Sequence, residues 1–241
     1  MRRLAKRGSL PRTTSTELER RTRKIEGAAN PVQKATDEYG RARQARWFKP
    51  IVQSLGLASG PGERCMFCSG SEASQVEHYR PKALYPERTF SWDNLLWACG
   101  VCNLAKGSRF DENQRLYEPM ADDPWGLFFL DEYGNLRARV DLTTGEYYVR
   151  AVATMNALAL DREPLQQSRQ RRYRSLRKTA QELVDLHASG QRTGADLCER
   201  VEELKEEPSQ PDVADFFLNG PGQSEEPFRS LLAIISTTSE A

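Results

Sequence analysis

The strongest constraint on this chain is a repeated two-cysteine turn. Cys65-Met66-Phe67-Cys68 and Cys99-Gly100-Val101-Cys102 are both C-x-x-C, with a long insertion between them. Such a turn directs both sulfurs to one side, so the two pairs together offer four thiolates, the closed tetrahedral set of structural zinc. A redox C-x-x-C needs only one pair and a βαβ setting, and neither condition holds. Four protein ligands leave no open position, so the ion is expected to build structure and not to perform chemistry. The fifth cysteine, Cys198, lies among leucines on a helical face and reads as a packing residue.

Residues that carry chemistry sit between and just after the cysteine pairs. Gln75-Val76-Glu77-His78-Tyr79-Arg80-Pro81-Lys82 comes first, then Trp92-Asp93-Asn94-Leu95-Leu96-Trp97-Ala98-Cys99, then Cys102-Asn103-Leu104-Ala105-Lys106-Gly107. Glu77 and His78 are adjacent on an expected strand, so their side chains leave opposite faces. They serve one site only where the strand forms a lip. The Glu77 carboxylate and the Asn103 amide oxygen are hard donors suited to Mg²⁺ or Mn²⁺. With an ordinary pKa of about 6.5, His78 is largely neutral near pH 7.5 and able to take a proton from water. The other histidine, His187, lies on an amphipathic helix and is assigned to packing. Arg80, Lys82 and Lys106 are candidates for backbone-phosphate contacts; taken singly, a solvated surface cation fits each equally well.

At these residues the sequence resembles the HNH endonucleases, through Glu-His-x-x-Pro and then Asn-Leu-x-x-x-Cys-x-x-Cys-Asn-x-x-Lys inside a zinc knuckle. The resemblance covers about fifty residues and implies a ββα-metal core, two strands and a helix around a metal. It assigns His78 as general base, and Glu77 and Asn103 as ligands of a catalytic Mg²⁺ or Mn²⁺. Many members have histidine at the Asn103 position. Asn94, by the same resemblance, ties down the loop between the strands. Further along, Leu116-Tyr117-Glu118-Pro119, Asp122-Asp123-Pro124, a strand pair about Gly134, and Met155 to Leu160 before an Arg-rich helix follow in order. That arrangement is similar to the HNH subunits of the Septu anti-phage defence system and its retron-associated relatives. It implies an ABC/SMC-like ATPase partner, DNA as substrate and an antiviral role.

The rest of the chain frames this core. Its 241 residues allow one large or two small domains. Residues 1–29, rich in charge and poor in large apolar groups, read as a basic, disordered arm. Residues 30–62 read as a helical segment opened by Asn30-Pro31 and interrupted at Pro50. The nuclease core spans 63–110. Residues 111–207 hold a β meander, with strands at 127–130, 136–140 and 146–149, followed by helices at 165–188 and 194–206. Residues 208–241 form a tail whose apolar clusters, Phe216-Phe217-Leu218 and Phe228 to Ile235, suit partner docking. The expected fold class is therefore α+β, a zinc-stapled core embedded in a mostly helical chain.

Charge and hydropathy narrow the setting. From Arg2 to Lys49 fourteen Lys and Arg face five acids, whereas Glu202, Glu203, Glu206 and Glu207 mark an acidic rear. A basic front suits a polyanion such as DNA. No apolar run approaches the ~20 residues of a membrane span, and no apolar stretch follows the basic start, so a cytoplasmic protein without membrane association is expected. Two other readings compete with the DNA nuclease. One is an inactive zinc-knuckle module that binds nucleic acid or adapts an ATPase. The other is a nuclease that cleaves RNA or tRNA.

Overall fold

The helix expected after Asn30 forms as α2, Pro31–Ala42, in a computed structural model that describes every residue except Ala5, Lys6, Gln114, Glu240 and Ala241. The Asn30 side chain accepts from the Gln33 N–H at 3.1 Å, and Pro31 occupies the first turn, where its missing N–H costs nothing. A short 3₁₀ segment, Arg46–Phe48, then leads into α3, Lys49–Ala58. Pro50 lies in the first turn of α3, so it opens a new helix at the break it makes.

The basic arm expected over residues 1–29 contains a helix, α1, Arg12–Glu26. Thr14, Leu18, Arg21 and Ile25 recur at helical spacing and are buried. The Arg21 guanidinium lies 2.6 Å from the Glu38 carboxylate of α2, which joins the two helices. Ahead of α1, Arg7 lies over the Trp92 ring at 5.3 Å and donates to the Asp93 carbonyl at 3.0 Å. High charge therefore does not leave this region unpacked, because its cations find carboxylates, carbonyls and rings.

The next unit is a two-stranded sheet and a helix. β1, Gln75–His78, pairs antiparallel with β2, Leu95–Ala98, in the register Gln75 opposite Ala98 and His78 opposite Leu95. α4, Gly100–Lys106, follows at once and packs back on β1, while α3 covers β2. A second sheet pairs β3, Phe128–Leu130, with β4, Leu136–Ala138. Its turn uses Gly134 at φ 85°, where a Cβ would also sit 2.6 Å from the Tyr173 Cβ. The third strand expected at 146–149 reduces to one bridge, Val140 to Tyr147, because Val149 already begins α5, Val149–Leu158.

The long helices match their expected spans. α6 runs Glu163–Ala188 and α7 runs Gly194–Glu206, the latter opened by a reciprocal Thr193–Asp196 cap. The tail differs from expectation. It folds as α8, Pro211–Asn219, and α9, Phe228–Ser239, and its apolar clusters are core: Phe216, Phe217, Leu218, Phe228 and Leu231 are buried. Phe217 and Phe228 stack with centroids 4.0 Å apart. Asp212 of α8 is fully buried against the Arg169 guanidinium and the Met1 ammonium, each at 2.9 Å. The chain is thus α+β and mostly helical. Among the described residues no helix is long and apolar enough to cross a membrane.

Candidate active site and metal centre

The two C-x-x-C turns converge. The sulfurs of Cys65, Cys68, Cys99 and Cys102 all lie within 4.8 Å of one another and all four residues are buried. A tetrahedral ion with Zn–S bonds of about 2.3 Å separates its sulfurs by about 3.8 Å; Cys68 and Cys99 stand 3.9 Å apart. The donor set therefore fits zinc in both chemistry and spacing.

Local geometry explains the convergence. The Cys65 N–H donates to the Ser71 carbonyl at 2.9 Å and the Ser69 N–H returns to the Cys65 carbonyl at 2.8 Å, with Ser69 at φ 56°. Cys99 is the N-cap of α4, its sulfur accepting from the Cys102 N–H at 3.5 Å. Burial pushes the Cys65 thiol up, whereas hydrogen bonds from its three neighbours hold Cys68 well down, so the four do not titrate independently. Both terminal guanidinium nitrogens of Arg162 lie 3.9 Å from the Cys102 sulfur, a cation beside what would be a dianionic zinc–thiolate centre. Arg169, two helical turns on, donates to the Cys68 carbonyl at 3.3 Å. Cys198 is half-buried on α7, away from the cluster. His187 is also half-exposed, with Nδ1 3.1 Å from the Arg192 carbonyl.

Beside this centre lies a polar cleft of about 430 Å³. Gln75, Glu77, His78 and Asn103 line it together with Lys82, and Tyr39, Arg43, Phe48 and Val52 of the N-terminal helices form its other wall. Strand alternation places His78 on the Leu95 side of the sheet and Glu77 on the Leu96 side. Both still reach one cleft because β1 is an edge strand with β2 on one side only. Across its other edge the Tyr39 hydroxyl donates to the Val76 carbonyl at 3.0 Å.

His78 is 4% exposed, and its Nε2 lies 3.1 Å from the Thr89 carbonyl. A carbonyl can only accept, so this contact puts the proton on Nε2 and leaves the Nδ1 lone pair open. The Tyr39 ring meets the imidazole edge-on at 4.6 Å. Burial, followed by the charge of Lys82, lowers the His78 pKa to about 3, so the ring is neutral.

The Glu77 carboxylate accepts from the Lys106 ammonium at 2.7 Å through Oε1. Lys106 also donates to the His78 carbonyl at 2.7 Å. Burial raises the Glu77 pKa and lowers that of Lys106, while their mutual attraction acts against both shifts. Asn103 donates through Nδ2 to the Gln75 side-chain oxygen at 2.6 Å, an arrangement that leaves its Oδ1 available as a donor to a cation. Glu77 and Asn103 thus offer the cleft two hard oxygens beside a neutral imidazole. That set fits Mg²⁺ or Mn²⁺ in donor chemistry.

Asn94 lies in the loop between β1 and β2 and is buried. Its Oδ1 accepts from the Arg80 N–H at 2.7 Å, and its Nδ2 donates to the carbonyls of Arg80 and Arg88 at 3.0 Å each. Of the three expected phosphate contacts, Lys82 lines the cleft. Arg80 instead pairs with Glu112 at 3.0 Å and lies over the Phe110 ring. Lys106 differs most: it is fully buried on Glu77. Its helical phase gives the reason, since Lys106 is four residues after Cys102 and shares the inward face of α4. Tyr39, Arg43, Gln75 and Thr89 are the site residues that the motif does not mark.

Fold and site together define an α+β protein with a buried four-cysteine cluster, whose spacing fits a metal ion, beside a polar cleft. No family model matches the chain. Among curated proteins the chain is similar to the Septu protein PtuB of Bacillus thuringiensis, at 31% identity over 100 residues. That stretch covers 39% of this chain and 38% of PtuB, so the match spans well under half the length of either.

Proposed function

We propose that this chain is a metal-dependent endonuclease of the HNH type, with β1, β2 and α4 as its ββα-metal core and zinc on the four cysteines. It hydrolyses phosphodiester bonds in DNA as the nuclease effector of a bacterial anti-phage defence system, in the cytoplasm, beside an ABC/SMC-like ATPase. The observation that carries this reading is the shared cleft: an imidazole with a fixed tautomer, a carboxylate and a carboxamide oxygen line one cavity next to the thiolate centre. The similarity to a Septu protein supports the defence role and a partner protein.

In this mechanism His78 takes the proton of the attacking water at Nδ1, because Thr89 occupies Nε2. A bound phosphodiester brings negative charge next to the ring, which counters Lys82 and makes the imidazole a stronger base. Glu77 and Asn103 would hold the divalent ion, which supplies positive charge to the phosphate oxygens and the leaving 3′ oxygen. Lys82, at the cleft, receives a non-bridging oxygen. Asn94 keeps the loop between β1 and β2 in the form that places Thr89 against the imidazole.

The test is His78→Ala in the zinc-loaded chain on plasmid DNA with Mg²⁺ or Mn²⁺, with and without the ATPase and ATP. Cleavage should fall by about 10²–10⁴ while zinc content and melting temperature stay near wild type. A variant that cuts at the wild-type rate removes His78 as the base. A wild-type chain that cuts tRNA and not plasmid makes it an RNA nuclease. One that cuts neither, even with the ATPase, makes it a binding or adaptor protein.

A further inference from the structure

The wall of the cleft opposite β1 comes from α2, the 3₁₀ segment and α3, a region with no motif and no role in the chemistry above. Its charge is unusual. From Tyr39 to Gly62 the sequence has no Asp or Glu, yet Arg41, Arg43, Arg46 and Lys49 fall within nine residues. Several other cations of the N-terminal helices are paired, with Arg21, Lys34 and Arg41 around Glu38 and Arg20 on Glu17. Arg12, Arg23 and Lys24 of α1 form no ion pair among the described residues but do not line the cleft. Arg43, Arg46 and Lys49 are exposed and form no ion pair among the described residues.

Placement ties Arg43 to the site directly, and Lys49 through the helix face it shares with a cleft residue. Arg43 itself lines the cleft with His78 and Asn103, as do Phe48 and Val52. Lys49 precedes Val52 by three residues on α3, so the two share a helix face and Lys49 stands one turn along the same wall. Arg46 lies between them in the 3₁₀ turn. On the β1 side Lys82 lines the same cleft. The cleft is therefore bordered by cations on both sides, and on one side they continue outward along the chain. Five residues lie between Arg43 and Lys49, in a turn and a 3₁₀ segment. At about 2 Å of rise per residue the two stand on the order of 10 Å apart along the chain, and backbone phosphates of one DNA strand recur about every 3.4 Å along the axis. The corner can thus follow several consecutive phosphates.

We infer that the α2–α3 corner is the track for the DNA backbone, with Arg43, Arg46 and Lys49 on phosphates that flank the one reaching His78. This deepens the nuclease reading and rests on it for the identity of the polyanion. Contacts of this kind set affinity and register without reading sequence.

The test is binding of the zinc-loaded full chain to a fluorescent DNA duplex without added Mg²⁺, across a salt series. Each lost phosphate contact lowers the slope of log K against log salt by about 0.9. The triple variant Arg43→Ala, Arg46→Ala, Lys49→Ala should therefore lose about 2.7 from the parent slope, with unchanged zinc content and melting temperature. A charge-matched control, Arg171→Ala, Arg174→Ala, Lys178→Ala on exposed positions of α6, should keep the parent slope. The track is overturned when the corner variant keeps the parent slope, or when the α6 control loses as much. A parent that does not bind the duplex overturns the track and the DNA reading together. A parent whose slope depends on the corner, but which never cuts with Mg²⁺, keeps the track and rejects the hydrolytic reading.

Discussion

Replacing Lys106 by methionine keeps the unbranched stem and removes the ammonium, a change whose consequence follows from two distances and the burial of both partners. The Lys106 side chain is fully buried, the Glu77 side chain is 9% exposed, and the ammonium stands 2.7 Å from both the Glu77 carboxylate and the His78 carbonyl. Breaking a buried pair by removing one partner leaves an uncompensated charge and costs about 3–5 kcal/mol. For a chain of this size about 1 kcal/mol moves the midpoint by ~2–4 °C, so the Lys106→Met melting temperature should fall by roughly 6–20 °C. Adding Glu77→Gln removes the orphaned charge and should recover most of that loss, since a neutral pair of similar shape needs no counter-ion. The assay is urea and thermal unfolding of all four corners of the Glu77/Lys106 cycle, zinc-loaded, with circular dichroism as readout. A solvated, phosphate-seeking lysine predicts a different pattern: Lys106→Met within ~0.5 kcal/mol of wild type. That outcome, or a double variant no more stable than Lys106→Met alone, refutes the clamp.

Other consequences can be checked with the same preparations. Cys65→Ser or Cys102→Ser should lose zinc and the folded core, because structural zinc contributes about 10–16 kcal/mol of apparent binding free energy in zinc-finger peptides; a folded variant with full zinc content rejects the structural role. Asn94→Ala should destabilise the chain by about 2–4 kcal/mol, since three partly buried loop groups lose their partner, and urea midpoints will show it. Burial alone would raise the Asp212 carboxyl, but the Met1 ammonium and Arg169 outweigh it and hold the group below the usual carboxylate range. A depressed carboxyl contributes stability above its unfolded value of about 3.9 and loses it as pH falls through the folded one. Stability measured below about pH 4 should therefore decline more steeply for wild type than for Asp212→Asn, and parallel acid limbs would contradict the pairing.

The parts of this fold that could be read ahead are those in which spacing and chemistry are one statement. Two C-x-x-C turns admit few arrangements, and the four sulfurs meet. The spans of α6 and α7 follow from apolar periodicity and the Thr193 cap. What escaped the sequence was set by tertiary packing. The far wall of the cleft is built by Tyr39, Arg43, Phe48 and Val52, whose positions depend on how α2 and α3 lie against β1 and β2. Residues 1–29 look like an arm because charge dominates their composition. Yet Thr14, Leu18, Arg21 and Ile25 already mark a helix face, with a buried arginine hidden among the solvated ones. Lys106 shows the same limit at the site itself. Composition does not separate a lysine meant for phosphate from one meant for a buried carboxylate, whereas its phase relative to Cys102 does.

That phase also shows why the metal centre and the cleft stand or fall together. α4 has only seven residues, far fewer than an isolated helix needs to persist in water. Its first turn is held by Cys99 and Cys102, and its last by the buried Lys106 on β1. Between these two anchors lies Asn103, whose side chain reaches back to Gln75 at the start of β1. Releasing the thiolates would free the N-terminal end of α4. What remains is the packing of α4 on α5, the Lys106 contacts to Glu77 and the His78 carbonyl, and the Asn103–Gln75 bond, which hold the C-terminal end and leave the first turn without its clamp. Zinc that performs no chemistry would still govern it, because Asn103, one of the two oxygen donors, is carried on the helix whose first turn the sulfurs hold.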